Sequence, residues 1–121
     1  MPKTILVADD DATIRERLCR IVEIEEGYEI CAEAVNGEEA VALARQHKPD
    51  LIVLDSQMPV MDGIEAAYEL KWIMPDVPII LFAQHVDTTQ YAVGRDSPID
   101  VVVAKSDALH IIEHIRSLIS I

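Results

Sequence analysis

The chain has few basic residues and no long apolar run, and each shortage excludes a class of function. Ten lysines and arginines stand against 22 aspartates and glutamates, which gives a formal net charge of −12 at pH 7. Nucleic acids and anionic membranes attract basic surfaces, so we expect this chain to bind neither directly. It has no stretch long enough to cross a bilayer and no apolar core of a secretory signal. We therefore expect a cytoplasmic protein.

Cysteine and glycine are also scarce. The two cysteines, Cys19 and Cys31, lack the spacing of a metal or redox site, and their helix and strand patterns favour two buried thiols over a disulfide. Asn36-Gly37 predicts a turn rather than a glycine-rich phosphate loop. Half of the 121 residues are apolar. This length and composition predict one folded domain over residues 1–121.

Strand and helix signals alternate along the chain. Short apolar runs predict strands at 4–8, 28–34, 51–55, 78–83 and 101–104. Capping residues and apolar stripes predict helices from about 11 to 25, 38 to 48, 62 to 74 and 107 to 119, with a weaker one within 88–95. Because the central strand is apolar throughout, both of its faces are expected to be covered. The fold class is therefore α/β, a doubly wound parallel sheet of five strands with helices on both faces.

Charged residues lie at the carboxyl ends of three of the predicted strands. Asp9 and Asp10 follow the first strand, Asp55 ends the third, and Lys105 follows the fifth. The carboxyl ends of parallel strands meet at one edge of the sheet, where ligands bind. Carboxylates brought together there repel one another unless a cation joins them, and oxygen ligands suit Mg²⁺. Since Lys105 suits an arriving anion, the pattern favours a phosphoryl-transfer site with Asp55 as the acceptor.

Four segments around these charges form a specific pattern. They are Leu-Val-Ala-Asp-Asp-Asp at 6–11, the run at 49–63 that ends in Met-Pro-Val-Met-Asp-Gly, Pro-Ile-Ile-Leu-Phe at 78–82, and Val-Ala-Lys-Ser at 103–106. With these segments the chain resembles the receiver domain of response regulators in two-component signal transduction, over essentially its whole length. The resemblance implies the flavodoxin-like (βα)5 fold of single-domain chemotaxis receivers, with strand order 2-1-3-4-5.

The resemblance also implies roles for individual residues. Asp55 would accept a phosphoryl group from the phosphohistidine of a histidine kinase or phosphotransfer protein, or from a small phosphodonor. Asp10, Asp55 and the backbone carbonyl of Gln57 would bind Mg²⁺ directly, and Asp9 would act through a water. Lys105 would pair with Asp55 or with the phosphoryl oxygens. Such a domain catalyses only its own phosphorylation and dephosphorylation, and it signals by changing its contacts with a downstream protein partner, usually at the face formed by the fourth helix, the fifth strand and the last helix.

The chain departs from the family at three positions that take part in switching. Ala83 stands where a threonine or serine hydroxyl usually binds the phosphoryl group, and Val102 stands where an aromatic residue usually moves. Ser106 replaces the proline that usually follows the lysine. We expect the acceptor chemistry to be retained and the conformational relay to differ, with an exposed Val102 adding to an apolar contact patch. The resemblance implies that side chains at the positions of Gln57 and His85 influence how water reaches an acyl phosphate, although a solvent-exposed loop histidine is the simpler interpretation of His85.

Three other functions compete with this interpretation. A pseudo-receiver, which binds partners without phosphorylation, is favoured by Ala83 and Val102 and opposed by Asp55 and Lys105. A magnesium-dependent phosphatase with an aspartate nucleophile usually has a second carboxylate two residues later, where this chain has Gln57. The His-Ile-Ile-Glu-His run at 110–114 matches a zinc peptidase pattern, but the seven residues after it offer no third side-chain ligand.

Overall fold

The computed structural model describes residues 1–84, 93 and 96–120, and a single parallel sheet organises them. Its strands are β1 (Lys3–Ala8), β2 (Tyr28–Ala34), β3 (Leu51–Asp55), β4 (Ile79–Ala83) and β5 (Val101–Ala104). They lie in the order β2-β1-β3-β4-β5, and each pair of neighbours is parallel. This topology confirms the predicted flavodoxin-like fold.

In the described part of the chain, helices follow β1, β2, β3 and β5, and their first turns explain where they begin. They are α1 (Ala12–Ile24), α2 (Gly37–His47), α3 (Gly63–Ile73) and α4 (Ile111–Leu118). The Asp11 carboxylate caps α1 by accepting hydrogen bonds from the backbone N–H groups of Thr13 (2.9 Å) and Ile14 (3.1 Å). Asp62 and Glu65 form the predicted capping box at α3.

The last predicted helix begins later than expected. Residues Lys105–His110 form a 3₁₀ helix, and the α-helix starts only at Ile111. Side chains three residues apart align in a 3₁₀ helix, which directs both Ala108 and Ile111 into the core. The helix predicted within 88–95 lies outside the described residues, apart from Val93.

The hydrophobic core consists of two layers, one on each face of the sheet. Side chains alternate along a strand, so Val53 packs into the layer under α1 and α4, whereas Leu54 packs into the layer under α2 and α3. Every residue of β3 and β4 is buried. This confirms helices on both faces and places the end of β3, where Asp55 lies, in the middle of the fold. No described helix has the length and apolar character needed to cross a bilayer.

Candidate functional site

Three carboxylates converge where the sheet's strands end. Ala8 of β1 pairs with Leu54 of β3, so Asp9 and Asp55 follow directly on neighbouring strands. One oxygen each from Asp9, Asp10 and Asp55 lies within 4.8 Å of the other two. Asp9 and Asp55 are buried and Asp10 is exposed. The predicted convergence of these side chains is therefore present.

Lys105 reaches the carboxylates across the end of β4. Its Nζ lies 3.1 Å from Asp9 Oδ2 and 3.2 Å from Asp55 Oδ1. Phe82 of β4, which is in register with Asp55, lies beneath this side chain, with 5.9 Å between Nζ and the ring centroid. The Lys105 ammonium therefore contacts carboxylates that follow or end two different strands.

The electrostatics of the site are dominated by burial and by the crowding of like charges. Burial and the negative charge of Asp9 raise the pKa of Asp55 from 3.8 to about 6, against the opposing effects of the Gln57 N–H and Lys105. Burial lowers the pKa of Lys105, but its close contact with the Asp9 carboxylate and the negative charges of Asp9 and Asp55 outweigh this effect, so the pKa rises overall. Lys105 is therefore charged at neutral pH, and it only partly offsets the repulsion between the carboxylates.

Backbone hydrogen bonds fix the acceptor loop. Asp55 Oδ1 accepts a hydrogen bond from the Gln57 N–H at 3.3 Å. The Ser56 N–H donates to the carbonyl of Phe82 at 3.1 Å, which extends the pairing of β3 and β4 beyond Asp55. The Gly63 N–H then donates to the Ser56 carbonyl at 3.2 Å and brings the start of α3 onto the loop. The backbone next to Asp55 is thus held by the sheet on one side and by the start of α3 on the other.

Arg15 supports Asp9 and was missed by the sequence analysis. Its Nη1 donates to the Asp9 carbonyl oxygen at 2.8 Å, and its Nε lies 3.2 Å from Glu33 Oε1 on β2. The Arg15 side chain is only 18% exposed. The sequence signal that could have identified Arg15 is its position in the first turns of α1, just after the acidic run at 9–11.

The donor set fits a hard divalent cation. Among the described residues, Asp9 Oδ2 accepts no hydrogen bond of good geometry, although Lys105 Nζ lies 3.1 Å away. Three carboxylates with a single ammonium leave an excess of negative charge, and carboxylate oxygens are the ligands that Mg²⁺ prefers. Such an acidic triad is typical of the magnesium site of receiver domains. In the described part of the chain, no other three His, Cys, Asp or Glu side chains converge in this way, and the zinc pattern at 110–114 forms no such group.

A cavity of about 570 Å³ opens over the carboxylates and gives Asp55 access to solvent. Its lining residues are Asp10, Asp11, Ile14, Asp55, Ser56, Gln57, Met58, Pro59, Gln84 and Lys105. The cavity therefore brings every predicted site residue except Asp9 to one opening, while Asp9 lies buried behind Lys105.

The two switch positions, Ala83 and Val102, are not among the described residues that line this cavity. Ala83 is buried at the end of β4, where it pairs with Ala104. Val102 is only partly exposed and packs against the core layer under α2 and α3. The expectation that Val102 is exposed was therefore wrong, because β5 turns this side chain toward that layer. His85 lies outside the described residues.

A flavodoxin-like sheet whose edge joins an acidic triad to the lysine that follows β5 defines the class of two-component signalling receivers. The response regulator receiver domain family matches residues 5–116, and this chain belongs to that family.

Relatives and solved structures agree with this assignment. Over 86 residues the chain is 49% identical to the transcriptional regulatory protein PdtaR of Mycobacterium tuberculosis, a match that covers 69% of this chain and 42% of that protein. Over 79 residues it is 46% identical to the protein-glutamate methylesterase/protein-glutamine glutaminase 1 of Vibrio cholerae, covering 65% of this chain and 21% of that protein. The chain thus spans less than half the length of these curated relatives.

Two solved structures show the same architecture. The receiver domain of the Francisella response regulator 1452 superposes with a TM-score of 0.84 at 28% identity, covering 96% of this chain and 95% of that chain. The Vibrio cholerae chemotaxis protein CheY4 superposes with a TM-score of 0.87 at 22% identity, covering 98% of this chain and all of that chain. At 22% identity the second comparison supports the fold alone.

Proposed function

We propose that Asp55 accepts a phosphoryl group from the phosphohistidine of a histidine kinase or phosphotransfer protein, in a reaction that depends on Mg²⁺. The observation that carries this proposal is the position of the Asp55 carboxylate, which lies at the base of an open cavity between two further carboxylates and the Lys105 ammonium. A buried carboxylate in that setting is rigidly placed, and positioning with electrostatic stabilisation is most of what phosphoryl transfer requires.

The transfer forms one bond and breaks one. An Asp55 oxygen bonds to phosphorus while the phosphorus–nitrogen bond of the donor breaks and the electron pair returns to the imidazole. Lys105 then shifts its interaction from the Asp55 carboxylate to the phosphoryl oxygens. Asp10, Asp55 and the Gln57 carbonyl would hold Mg²⁺, with Asp9 acting through a water, and the bound ion supplies charge neutralisation at those oxygens.

We propose that the phosphorylated domain acts by changing its contacts with a downstream protein, as a chemotaxis-type receiver with an atypical switch. Ala83 has no hydroxyl to bind the phosphoryl group, and the partly buried Val102 has no ring to move. The signal therefore leaves the site by a rearrangement other than the hydroxyl–aromatic relay. The contact surface we propose includes β5, which ends directly before Lys105, and α4, which follows the 3₁₀ helix that begins at Lys105.

A pseudo-receiver is the second candidate, and the packing of Val102 into the core favours it. In this case the domain would present one constant surface to its partner, and the acidic site would have no part in regulation. The intact acidic triad and its contact with Lys105 are the observations against it.

Intact mass spectrometry tests the proposed function. The protein is incubated with Mg²⁺ and acetyl phosphate beside two variants, Asp55→Asn and Asp76→Asn, the second removing an exposed carboxylate in the turn before β4. We expect a single phosphoryl adduct on the wild type and on Asp76→Asn, and none on Asp55→Asn. Absence of both the adduct and Mg²⁺ binding in the wild type supports the pseudo-receiver. Mg²⁺ binding without an adduct calls for a phosphohistidine donor in place of acetyl phosphate.

A further inference from the structure

We infer that the side-chain amide of Gln84 binds the phosphoryl group on Asp55 as a neutral hydrogen-bond donor. The inference rests on the proposed function and adds a residue that the sequence analysis did not consider. Gln84 lines the cavity of about 570 Å³ over Asp55 and also an adjoining cavity of about 260 Å³ between α1 and the 3₁₀ helix. Lys105 and Ile14 also line both cavities.

The strand register places Gln84 at the carboxylate edge of the sheet. Asp55 pairs with Phe82, and Gln84 follows two residues later, just beyond the end of β4. Because side chains alternate along a strand, Gln84 lies on the same side as Phe82, whose ring is beneath the Lys105 ammonium. Both residues line the second cavity together with Leu18 and Ala108 from the layer under α1 and α4. Gln84 therefore lies near the Lys105 ammonium, which contacts Asp55.

The residues that line the cavity over Asp55 favour a neutral hydrogen-bond donor for the phosphoryl group. A phosphoryl group on Asp55 adds three oxygens, all of them hydrogen-bond acceptors. Among the described residues that line the cavity, Asp10 and Asp11 repel such a group, and the apolar side chains of Ile14, Met58 and Pro59 offer no donor. Lys105 is the cation among these lining residues. Any further donor among them must be neutral.

Gln84 suits this role better than the other neutral side chains of the lining. Ser56 and Gln57 lie in the loop that follows Asp55 itself, and what Gln57 gives to Asp55 Oδ1 in this structure is its backbone N–H. Gln84 approaches from β4, where the buried methyl group of Ala83 cannot donate. It is exposed, and its amide has no hydrogen bond within the described part of the chain. No existing bond in that part has to break for its N–H groups to turn toward the phosphoryl oxygens.

Two substitutions separate donation by the amide from simple obstruction of the cavity. Gln84→Met keeps the length of the side chain and removes the donor, whereas Gln84→Ala removes both. Gln46→Met is the matched control, because Gln46 is exposed on α2 and lines neither cavity.

The measurements are the rate of phosphorylation by acetyl phosphate and the dissociation constant of beryllofluoride, both at saturating Mg²⁺. In the first assay an Asp55 oxygen bonds to phosphorus as the phosphorus–oxygen bond breaks and acetate leaves with the electron pair.

We expect both Gln84 variants to slow phosphorylation and to weaken beryllofluoride binding by about 2- to 10-fold, the loss of one neutral hydrogen bond, with Gln46→Met unchanged. Faster phosphorylation in Gln84→Ala with a wild-type rate in Gln84→Met would show that the side chain only obstructs the cavity. Wild-type behaviour of both variants would also overturn the inference. Equal melting temperatures of all four proteins exclude a folding defect as the cause.

The same measurements distinguish failure of this inference from failure of the proposed function. If the wild type is phosphorylated and the Gln84 variants match it, only the role of Gln84 is wrong. If the wild type neither gains an adduct from any donor nor binds beryllofluoride, the proposed function fails and the role of Gln84 fails with it.

Discussion

Gly63 approaches Asp55 so closely that a Cβ atom built on Gly63 would lie 2.1 Å from the Asp55 carbonyl oxygen and 3.1 Å from Leu81 Cδ1. The first residue of α3 therefore packs directly on the backbone that carries the acceptor. Neither the carbonyl nor β4 behind it has room to move, because both are inside the core. The position of α3 and the position of the acceptor are thus mechanically linked.

Gly63→Ala is expected to displace α3 from the acceptor loop. The added methyl group overlaps a backbone oxygen, so we expect a loss of about 1–3 kcal/mol in the free energy of unfolding and slower phosphorylation of Asp55. Urea unfolding and the acetyl phosphate assay measure the two effects. Glu69→Ala, on the exposed side of the same helix, serves as the control and should leave both unchanged. Wild-type stability of Gly63→Ala would contradict this close contact.

Asp55 is expected to make metal-free stability depend on pH. Because its pKa is about 6 in the fold and near 3.8 when unfolded, the folded state binds more protons between these values. Stability therefore falls as pH rises through this window. We expect Asp55→Asn to be more stable than the wild type at pH 7 by about 1–3 kcal/mol, with the difference shrinking toward pH 4.

Urea unfolding in EDTA from pH 4 to pH 8 measures this difference. Asp76→Asn is the control, because it removes an exposed carboxylate in the turn before β4 that is not a member of the acidic triad. An Asp55→Asn protein that is less stable than the wild type at pH 7 would show that Lys105 more than compensates the repulsion.

Removal of Mg²⁺ should lower the melting temperature of the wild type. A ligand that binds only the folded state stabilises it by about 2.7 kcal/mol at a hundredfold excess over its dissociation constant. We expect Asp10→Asn to lose most of this gain while folding normally, because Asp10 is an exposed member of the acidic triad. Differential scanning calorimetry with and without Mg²⁺ provides the measurement, with Asp76→Asn as control. If Mg²⁺ raised the melting temperature of Asp10→Asn as much as that of the wild type, Asp10 would not be a ligand of the ion.

Arg15 is expected to act on the site through Asp9. Its hydrogen bond to the Asp9 carbonyl fixes the turn after β1, so Arg15→Ala should weaken Mg²⁺ binding several-fold, corresponding to about 1 kcal/mol for one lost hydrogen bond. Isothermal titration calorimetry measures this affinity. Arg20→Ala is the control, because the Arg20 side chain is 75% exposed and, among the described residues, pairs with Glu16 one turn before it. Equal affinities in the two variants would argue against this positioning role.

The sequence predicted β2, β3 and β5 at their observed bounds, because each is a short run of strand-forming residues between clear breaks. The beginning of the last helix could not be predicted in the same way. Asp107 is a good capping residue, but it lies inside the 3₁₀ segment Lys105–His110, which buries Ala108, and the α-helix begins only at Ile111. The propensity of Asp107 was thus overridden by packing against the core.

Local patterns also determined the acidic part of the site. Asp9, Asp10 and Asp55 lie at the ends of two strands, and the apolar character of these strands predicts parallel pairing. The convergence of the three carboxylates could therefore be predicted from the sequence alone. The sequence likewise determined the absence of a hydroxyl at Ala83, which is a matter of residue type alone.

Only the tertiary structure decided how the remaining side chains are arranged around the acceptor. Lys105 passes over Phe82 to reach Asp9, two strands beyond β4, and the partly exposed Val102 packs against the core layer under α2 and α3. Gln84 reaches the mouth of the cavity for a similar reason. Strand order, register and side-chain reach are set by contacts between residues far apart in the chain, and a local pattern contains no information on those distances.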